Sequence, residues 1–390
     1  MLPKFLVLLS SLACLAALAI ITWLHSQSRM DVVVRPASPP SGPLPLVSLI
    51  VPARNEQRNI RRCVECLLAQ TYPNFELIVL DDRSTDATPD ILRELAARDG
   101  RLRVLRGVDL PPGWAGKPHA LAQAAAQARG GWLCFVDADT FPAPEALASV
   151  HAEARRRGAD LFTIMTEQEV GSFWERTVLP LVLTALSVGF SARKVNDPRR
   201  KDAIANGQFI LIRHAVYRAV GGHTALRDSI VEDRDLAALV KSAGYRLVLA
   251  DGRQVARTRM YTSLPEMWEG WTKNIFLGLK SSPGLLLLGA FGALLLLFAA
   301  LALPLWLAAG LVWGSTVPGS GGWAVALEAA AVWAYLLGWR ARVLSEMHVP
   351  FWYALTVPLG AVVFAAMMLA STWKVLSGQG VTWKGRRYRR

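Results

Sequence analysis

Cysteine is scarce in this chain, with four among 390 residues. Cys63 and Cys66 form a Cys-X-X-Cys pair, a spacing found in thiol-redox and zinc sites. A zinc site of this kind needs a second pair or a nearby histidine, and neither accompanies it. Because the pair also falls in a helical pattern, we expect both side chains to serve packing rather than redox chemistry or metal binding.

The signatures of several nucleotide-binding and nucleic-acid-binding classes are absent as well. No Gly-X-Gly-X-X-Gly follows the first predicted strand, which argues against a nicotinamide or flavin dinucleotide. No Gly-Lys-Ser or Gly-Lys-Thr occurs, which excludes a P-loop. The formal charge of +13 would suit nucleic acid, but no helix-turn-helix, zinc or RNA-binding signature accompanies it. We expect no nucleic-acid partner and attribute the basic residues to membrane topology and anionic lipid.

Long apolar runs, by contrast, are present at both ends. The chain is 53% hydrophobic, and residues 5–24 form an uncharged run of 20 positions, long enough to span a bilayer. A cleaved signal peptide is the alternative, since Ala17-Leu18-Ala19 resembles a cleavage site. The apolar run continues past that point, so residues 1–26 are predicted to be an uncleaved transmembrane anchor.

Residues 283–376 are predicted to form transmembrane helices, and residues 377–390 a basic tail. The three candidate segments are residues 285–313, 323–339 and 351–373. Arg340, Arg342 and the tail all favour the cytoplasmic side, which is impossible if the third segment crosses once. Three explanations stay open: the third segment is re-entrant, the second does not span, or the tail charges mislead.

Between the two ends, the pattern changes to that of a globular domain. Residues 27–45 contain five prolines and are predicted to be a stiff tether. In residues 46–262, short apolar strands alternate with helices, which is typical of a mostly parallel sheet with helices on both faces. The predicted fold class is therefore α/β, with an amino-terminal anchor and carboxyl-terminal membrane helices.

Two shorter segments have an ambiguous pattern. Residues 177–190 are apolar, but they contain Pro180 and are too short to span a bilayer comfortably. Residues 263–282 mix tryptophans with charges. Each segment suits either the membrane interface or a core helix, and for residues 263–282 we expect an interfacial helix.

Polar side chains follow three of the predicted strands. Asp137 and Asp139 come after an apolar strand, and further clusters occupy residues 53–56 and 81–86. If the chain stays extended, the two aspartates project to the same side and offer paired oxygens to Mg²⁺ or Mn²⁺, which suits a diphosphate. The alternative is that Asp139 caps a helix after Thr140. In a doubly wound sheet the three clusters would converge at one edge, where a nucleotide could lie.

These strand ends resemble the nucleotide-sugar motifs of family 2 glycosyltransferases, which have the GT-A fold. The motifs are Val51-Pro52-Ala53-Arg54-Asn55-Glu56, Leu80-Asp81-Asp82-Arg83-Ser84-Thr85-Asp86 and Val136-Asp137-Ala138-Asp139. The resemblance covers roughly residues 45–280. Within the family, the chain is most similar to membrane-bound bacterial enzymes associated with carotenoid and hopanoid lipids. This narrower likeness depends on residues 112–117, 206–209, 221–223, 231–233 and 381–386.

The resemblance implies a role for individual residues in donor binding. Asp82 matches the acid that contacts uracil, Asp137 is directed toward ribose and metal, and Asp139 is the expected direct metal ligand. Lys117 precedes a helix, where it would meet phosphate, although a solvated surface lysine is the alternative. The other donor-binding candidates are Pro52, Ala53, Asn55, Glu56 and Asp81. The implied cofactor is a divalent metal, Mg²⁺ or Mn²⁺, and the implied donor is a nucleoside-diphosphate sugar.

Glu232-Asp233 opens a predicted helix and resembles the family's Glu-Asp motif, whose aspartate is the catalytic base. A helix amino end favours an ionised carboxylate, which is the form that a base requires. Asp233 is therefore the implied base, with Glu232 as the second catalytic candidate and helix capping as the alternative role. Further candidates, for contacts to the acceptor or to diphosphate, are Gln208, Trp271 and Lys273.

The chain departs from the processive synthases of this family, which carry Gln-X-X-Arg-Trp after the base. Here residues 267–271 read Met-Trp-Glu-Gly-Trp instead. We expect an inverting transferase of the cytoplasmic membrane, multi-pass and with a cytosolic catalytic domain, that moves a sugar from a UDP-linked donor to a lipid acceptor. The alternatives are a processive polysaccharide synthase and a non-catalytic protein that binds nucleotide sugar or lipid. The intact acidic motifs argue against the second of these.

Overall fold

The structure, a computed structural model, describes residues 2–27, 30–39, 41–278, 291–292, 302, 304–319, 321–377, 381–383 and 386–388. The chain divides into two compact units. Met30–Glu169 and Phe190–Met260 form what we call the sheet unit. Met1–Arg29, Val170–Gly189 and Tyr261–Arg390 form the helix unit.

Two β-sheets organise the sheet unit. The main strands are β1 (Val47–Ala53), β2 (Phe75–Asp81), β3 (Leu102–Arg106), β4 (Trp132–Phe135), β6 (Leu161–Met165), β8 (Ile210–Arg213) and β9 (Leu247–Asp251). They form one seven-stranded sheet in the order β3-β2-β1-β4-β8-β6-β9. β1 pairs in parallel with β2 and β4, whereas β8 runs antiparallel between β4 and β6. The short strands β5 (Thr140–Pro142), β7 (Glu167–Gln168) and β10 (Ala256–Thr258) form a second sheet, in the order β5-β10-β7.

Alternating side chains of the central strands enter two separate hydrophobic cores. The helices are α2 (Ile60–Leu68), α3 (Thr88–Ala96), α4 (Gly116–Ala126), α5 (Ala146–Arg156), α7 (Ala192–Asn196), α8 (His214–Ala219) and α9 (Glu232–Ser242). Leu49 and Val79 belong to the core that contains residues of α2, α3 and α5. Ile50 and Ile78, their neighbours in sequence, belong to the core that contains residues of α4, α7, α8 and α9. The sheet is therefore covered on both faces, which explains why its central strands are mainly apolar rather than alternating.

The predicted α/β architecture is confirmed. The sequence predicts strands over residues 47–52, 75–80, 102–105 and 132–136, and each observed strand begins at the predicted residue and ends within one residue of the predicted end. A helix is predicted over residues 56–69, but α2 begins later, at Ile60, because the residues before it form a loop that bonds to residues after β2.

Cys63 and Cys66 pack as predicted. Both thiols are free, and Cys63 is fully buried in the core beside α2. Burial raises the pKa of the Cys63 thiol well above its ordinary value, and the charge of Asp139 adds to the rise. A thiol held in its protonated form is chemically inert, as expected for a packing residue.

Part of the segment predicted as a tether is bound to the sheet. The backbone N–H of Val34 donates to Asp251 O at 2.8 Å, and that of Asp251 donates to Val32 O at 2.8 Å. Val32 and Val34 are both buried in the core. Further along, Ala37 donates its N–H to Ser149 Oγ at 2.8 Å. These residues thus extend the edge of the seven-stranded sheet beside β9.

The helix unit contains the apolar helices. These are α1 (Leu2–Gln27), α6 (Phe173–Gly189), α10 (Leu264–Gly278), α11 (Gly322–Glu346) and α12 (Val357–Leu376). A hairpin of β11 (Val381–Trp383) and β12 (Arg386–Tyr388) follows them. Among the described residues, three stretches are long and apolar enough to cross a membrane: Phe173–Asn196, Gly322–Glu346 and Phe351–Lys374. Val7–Trp23, within α1, is a shorter apolar helix.

The structure confirms two of the predicted carboxyl-terminal segments as apolar helices, residues 323–339 and 351–373. The prediction for residues 285–313 lies largely outside the described residues. The view that residues 177–190 are too short to span is wrong, because the helical stretch that includes them begins earlier, at Phe173, and continues to Asn196. Glu175 and Arg176 lie in its first turns, so the sequence hides the start of the helix behind charged residues.

Helix α1 is bonded to α11 within the helix unit. The hydroxyls of Ser10 and Ser11 donate to the two carboxylate oxygens of Glu328, at 2.6 and 2.5 Å. Cys14 and Val332 are buried together one turn further along. A carboxylate in an apolar helix is costly unless it is hydrogen-bonded, so these contacts make α1 a part of the helix unit.

His151 of α5 is a buried polar side chain in an aromatic setting. It is fully buried, and its ring meets Tyr72 and Trp132 edge to face, with centroids 5.2 and 5.6 Å apart. Neither ring nitrogen has a hydrogen-bond partner among the described residues. Burial, assisted by the charge of Arg155, lowers the pKa of His151 to about 4.

His151 should make the stability of the protein sensitive to acid. An unfolded histidine takes up a proton below about pH 6.5, but the folded protein resists protonation of His151 until about pH 4. The free energy of unfolding should therefore fall by up to about 3 kcal/mol as the pH drops across this interval. We expect His151→Phe to remove that part of the fall, as measured by denaturant unfolding of the full chain in detergent at pH 8, 6 and 4.5. A parallel pH dependence in parent and variant would contradict this assignment, whatever constant offset the larger ring introduces.

Candidate active site

The two aspartates after β4 lie in a tight turn rather than in an extended strand. β4 ends at Phe135, and the N–H of Thr140 donates to Asp137 O at 3.0 Å, which closes the turn. The prediction that Asp137 and Asp139 project together from an extended chain is therefore wrong. The alternative role for Asp139, capping a helix after Thr140, is also wrong, because β5 follows. The turn is required because β5 pairs antiparallel with β10, and Arg259 N donates to Asp139 O at 3.2 Å beside that pair.

The loops after β1 and β2 are bonded into one rim. Asn55 donates its N–H to Ser84 Oγ at 2.9 Å, and its side-chain oxygen accepts the N–H of Thr85 at 2.9 Å. Asp82 donates its N–H to Ala53 O at 2.7 Å. Asn55 has a φ of 52°, a left-handed conformation that asparagine tolerates better than most residues. The two predicted donor-binding motifs therefore meet at the sheet edge.

The acidic residues of this rim are mostly buried. Asp81 is 6% exposed and accepts the N–H of Ser84 at 3.1 Å. Asp82 is 5% exposed, and its carboxylate lies 3.6 Å from Arg83 Nε. Glu56 donates its backbone N–H to Thr88 Oγ1 at 2.8 Å. The rim is thus fixed by side-chain contacts on both loops.

A small, open cleft lies at the carboxyl end of β4. It is lined by Pro52, Lys117, Leu121, Phe135, Val136, Asp137, Gly207, Ile210, His223, Glu232 and Asp233. Five of the predicted site residues, Pro52, Lys117, Asp137, Glu232 and Asp233, therefore lie in one place. The predicted Glu-Asp motif opens α9, as expected.

Lys117 is the centre of the charge in this cleft. It lies in the first turn of α4, and its Nζ is 2.7 Å from Asp137 Oδ1 and 2.7 Å from Glu232 Oε1. Desolvation alone would lower the pKa of Lys117, but the attraction of Asp137, Glu232 and Asp233 outweighs it and holds the pKa well above its ordinary value. Lys117 is therefore a charged member of the site rather than a solvated surface lysine.

The two acids of α9 differ in their surroundings. The Glu232 side chain is 6% exposed, and burial raises its pKa despite the opposing attraction of Lys117. Asp233 is partly exposed, and its Oδ2 accepts the N–H of Gly207 at 3.0 Å. Val231, the residue before α9, forms no side-chain cap, but Asp233 Oδ1 accepts the N–H of Arg234 in the first turn at 2.8 Å. Asp233 thus bonds the helix start with one carboxylate oxygen and the Gly207 loop with the other.

Sequence reasoning assigned no role to His223, which also lines the cleft. Its backbone N–H donates to the Tyr217 hydroxyl at 3.1 Å, and its ring atom Nδ1 is hydrogen-bonded to the same hydroxyl at 2.9 Å. Burial, and then the charge of Lys117, lowers the pKa of His223 to about 3, so the ring is neutral. The sequence feature that could have pointed to His223 is the glycine before it. Gly222 has a φ of 51°, and a Cβ there would lie 2.5 Å from the Tyr217 ring.

The other predicted contacts are located elsewhere. Gln208 is 5% exposed, and its Oε1 accepts bonds from Thr166, from Asn206 at 2.9 Å and from Gln168 at 3.2 Å. It thus supports the loop that carries Gly207 from within the core. Trp271 and Lys273 lie on α10 in the helix unit.

The carboxylates of Asp137 and Asp139 could hold a divalent metal only in an open site, in which other ligands complete the shell. In the part of the chain that the structure describes, no group of three or more His, Cys, Asp or Glu side chains could hold a metal ion. Asp137 and Asp139 offer two carboxylates, both partly exposed. Mg²⁺ typically binds one or two carboxylates and completes its shell with water and substrate phosphates, and Mn²⁺ also prefers oxygen ligands.

Comparison with known proteins agrees with this geometry. Residues 48–221 match the family model Glycosyl transferase family 2. The chain is 29% identical over 236 residues to 4,4'-diaponeurosporenoate glycosyltransferase of Staphylococcus aureus (strain USA300). The aligned stretch covers 60% of this chain and 61% of the relative. The same enzyme from strain MRSA252 gives the same identity and coverage. The chain thus spans about three fifths of the length of the curated relatives that it matches.

A solved structure is similar over almost the whole chain. The mannosyltransferase from Pyrobaculum calidifontis, solved in complex with GDP-Man and Mn²⁺, has a TM-score of 0.54 and covers 96% of this chain and 99% of its own. At 17% identity, this likeness shows the fold alone. Together with the family match and the parallel sheet, it confirms the expected architecture: the chain carries a glycosyltransferase family 2 domain with the GT-A fold.

Proposed function

We propose that this protein is a membrane-bound, inverting glycosyltransferase that moves a sugar from a nucleoside diphosphate to a lipid acceptor. The observation that carries the proposal is the cleft in which Lys117, Asp137, Glu232 and Asp233 converge at the sheet edge of a family 2 domain. Charged groups of both signs around a partly exposed carboxylate suit a reaction that creates a charged leaving group and removes a proton.

A lipid acceptor is supported by the helix unit and by the relatives. In the part of the chain that the structure describes, three stretches are long and apolar enough to cross a membrane, so an apolar acceptor could reach the protein through the bilayer. The Staphylococcus aureus relative is named for a carotenoid carboxylate. We therefore propose a hydroxyl or carboxyl group of a polyisoprenoid-derived lipid as the acceptor, a multi-pass location in the cytoplasmic membrane and a cytosolic domain. Trp271 and Lys273 remain our proposals for contacts near the acceptor or the diphosphate, and Gln208 is instead a positioning residue beneath Gly207.

Asp233 is the better candidate for the base. Its partial exposure leaves the carboxylate accessible from the cleft, and the N–H of Gly207 holds one of its oxygens in place. Glu232 is enclosed and joined to Lys117, so its carboxylate is less accessible to an acceptor. We propose that Asp233 accepts the acceptor proton while Glu232 keeps the ammonium of Lys117 in position.

The donor would bind along the rim of the β1 and β2 loops. Asp82 would contact the base, and Pro52, Ala53, Asn55 and Glu56 would line the nucleoside, with Asp81 fixing the loop beneath. The ammonium of Lys117, which its acidic neighbours keep charged, would neutralise phosphate oxygens. A divalent metal bound by Asp137 and Asp139 would supply further positive charge for the departing diphosphate.

A donor panel tests the proposal directly. Membranes containing the full chain should transfer label from one of UDP-glucose, UDP-N-acetylglucosamine or GDP-mannose into the organic extract. Because the proposed metal is held by only two carboxylates, a chelator should abolish transfer, and Mn²⁺ or Mg²⁺ should restore it. Label in an insoluble polymer would indicate a processive synthase, and no turnover with any donor would indicate a binding protein. Full activity in chelator would overturn the role given to Asp137 and Asp139.

Replacing the proposed base separates catalysis from binding. A general base contributes roughly 10²- to 10⁴-fold, so Asp233→Asn should lower the transfer rate at least ~100-fold. The amide can accept from only one of the two N–H groups, Gly207 and Arg234, that now donate to the carboxylate. We therefore expect a small loss of stability, about 1 kcal/mol, and unchanged donor affinity measured by equilibrium binding.

Asp235→Asn is the matched control for this substitution. Asp235 lies in the same first turn of α9, but its carboxylate accepts the Ser229 hydroxyl at 2.6 Å and does not line the cleft. Its transfer rate should stay within a few-fold of the parent. If Asp233→Asn also turned over at near the parent rate, Glu232 would become the candidate base.

Gly207 should be essential because of the space it leaves. A Cβ at this position would lie 3.0 Å from Lys117 Nζ, 3.1 Å from Asp137 Oδ2 and 3.4 Å from Asp233 Oδ2. These side-chain ends can move, so Gly207→Ala should fold, but displacing them should lower transfer by ~10- to 100-fold. Gly131→Ala, at a glycine with no atom within 4 Å of the added Cβ, should behave like the parent in the same assay. Equal rates for both variants would show that the placement of these three groups is not critical.

A further inference from the structure

Arg340 is a buried cation in the apolar helix α11. Only 3% of it is exposed, although the helix has the length and composition of a membrane-crossing segment. Arginine cannot deprotonate in a protein, so the positive charge remains wherever the side chain is placed. A buried arginine of this kind normally has an anionic partner.

The described residues give Arg340 no such partner. Its Nη2 approaches the backbone oxygen of Thr177 at 3.5 Å, which is a long and weak contact, and its Nε has no hydrogen-bond partner. No carboxylate in the described part of the chain forms an ion pair with it. Thr177, on α6, is itself fully buried, and its hydroxyl also has no hydrogen-bond partner there. The contact between Arg340 and Thr177 therefore includes two donors without an acceptor, Nε of Arg340 and the hydroxyl of Thr177.

The acids of α6 and α11 are engaged elsewhere. Glu346, six residues after Arg340, pairs with Arg342 at 3.7 Å. Glu175 accepts the backbone N–H groups of Ser172 at 2.6 Å and of Gly171 at 3.2 Å. Glu328 accepts two serine hydroxyls of α1, and at 1.5 Å per residue it lies about 18 Å from Arg340 along α11. The carboxylates of these two helices are thus bonded, whereas the buried guanidinium has no counter-charge among the described residues.

The contact lies close to one end of each helix. Arg340 is six residues before the end of α11 at Glu346, and Thr177 is four residues after the start of α6 at Phe173. At 1.5 Å per residue these positions are about 9 and 6 Å from the helix ends. Helices that span a bilayer core of about 30 Å place such a level near the boundary between hydrocarbon and headgroups, where lipid oxyanions are found.

Helix packing fixes this arrangement. Gly360 of α12 approaches the same residue so closely that a Cβ there would lie 2.6 Å from Thr177 O. Three helices, α6, α11 and α12, therefore meet at Thr177. The backbone oxygen of Thr177 is crowded on one side by Gly360. The guanidinium of Arg340 makes only a long contact to that oxygen, so it can still bind a stronger acceptor.

We propose that Arg340, with the hydroxyl of Thr177, binds the oxyanion of a membrane lipid, either a carboxylate or a phosphate. Arginine presents a planar fork of donors that matches both groups, and the hydroxyl adds a further donor. The site lies within the helix unit and does not depend on the proposed transfer reaction. Its test therefore uses lipid-dependent stability rather than activity.

The experiment compares the full chain in nanodiscs of three compositions. These are phosphatidylcholine alone, phosphatidylcholine with phosphatidylglycerol, and phosphatidylcholine with oleate. We expect the thermal unfolding midpoint of the parent to rise by ~4 °C or more with one of the two anionic lipids, because a ligand that binds only the folded state stabilises it. A rise with phosphatidylglycerol identifies a phosphate site, and a rise with oleate identifies a carboxylate site.

Arg340→Gln should lose this response and, in phosphatidylcholine alone, should be at least as stable as the parent, because an unpaired buried charge is removed. Arg342→Gln is the matched control: it lies on the same helix, is 67% exposed at its side chain and pairs with Glu346 at 3.7 Å, so it should keep the response. If Arg340→Gln does not fold, Thr177→Val takes its place in the test. This variant keeps the shape of the side chain and the charge of Arg340, and it should weaken the response to the anionic lipid. Absence of a response in the parent, or an equal response in all variants, would overturn the proposal.

Discussion

The two ion pairs of Lys117 hold together the parts of the site that are most distant in sequence. One pair joins α4 to the turn after β4, and the other joins α4 to the start of α9. Glu232 is buried, and a buried carboxylate is stable only when its partner is placed well, so its pair with Lys117 constrains the segments that carry them. Asp233 follows Glu232 directly, and its position is therefore set by the same pair. The loop of Gly207 can lie against this group only because glycine has no Cβ. A larger side chain would displace the ends of Lys117, Asp137 and Asp233.

The sheet surrounding this group could be predicted from sequence because its physical signal is strong. Val47, Phe75 and Trp132 each begin a short, mainly apolar run followed by polar residues, which is typical of a strand buried on both faces. The clusters at the strand ends could be predicted for the same reason, since polar residues directly after such a run must lie at the sheet edge. Asp137 was placed at the edge in this way, whereas Pro52, Lys117, Glu232 and Asp233 were assigned to the site through the resemblance to family 2 glycosyltransferases. In the structure all five line one cleft.

The geometry within each cluster was less predictable. Whether Asp137 and Asp139 continue the strand or turn depends on the pairing of β5 with β10, about 115 residues later in the chain, and no local pattern records it. The burial of Gln208 depends on a polar network with Thr166 and Gln168 that forms only in the fold. His223 was missed because a lone histidine has no spacing signal. The start of α6 was misjudged since Glu175 breaks the apolar run, although its carboxylate bonds the backbone at the helix start.

The serine contacts of Glu328 have a consequence for how the protein is made. Ser10 and Glu328 are separated by 318 residues, so α1 waits for this partner until most of the chain has left the ribosome. Until Glu328 is synthesised, the two hydroxyls can bond only the backbone of α1 or water. The helix unit is therefore completed by a contact of very high sequence separation, and such contacts form slowly because a long stretch of chain must first be closed into a loop.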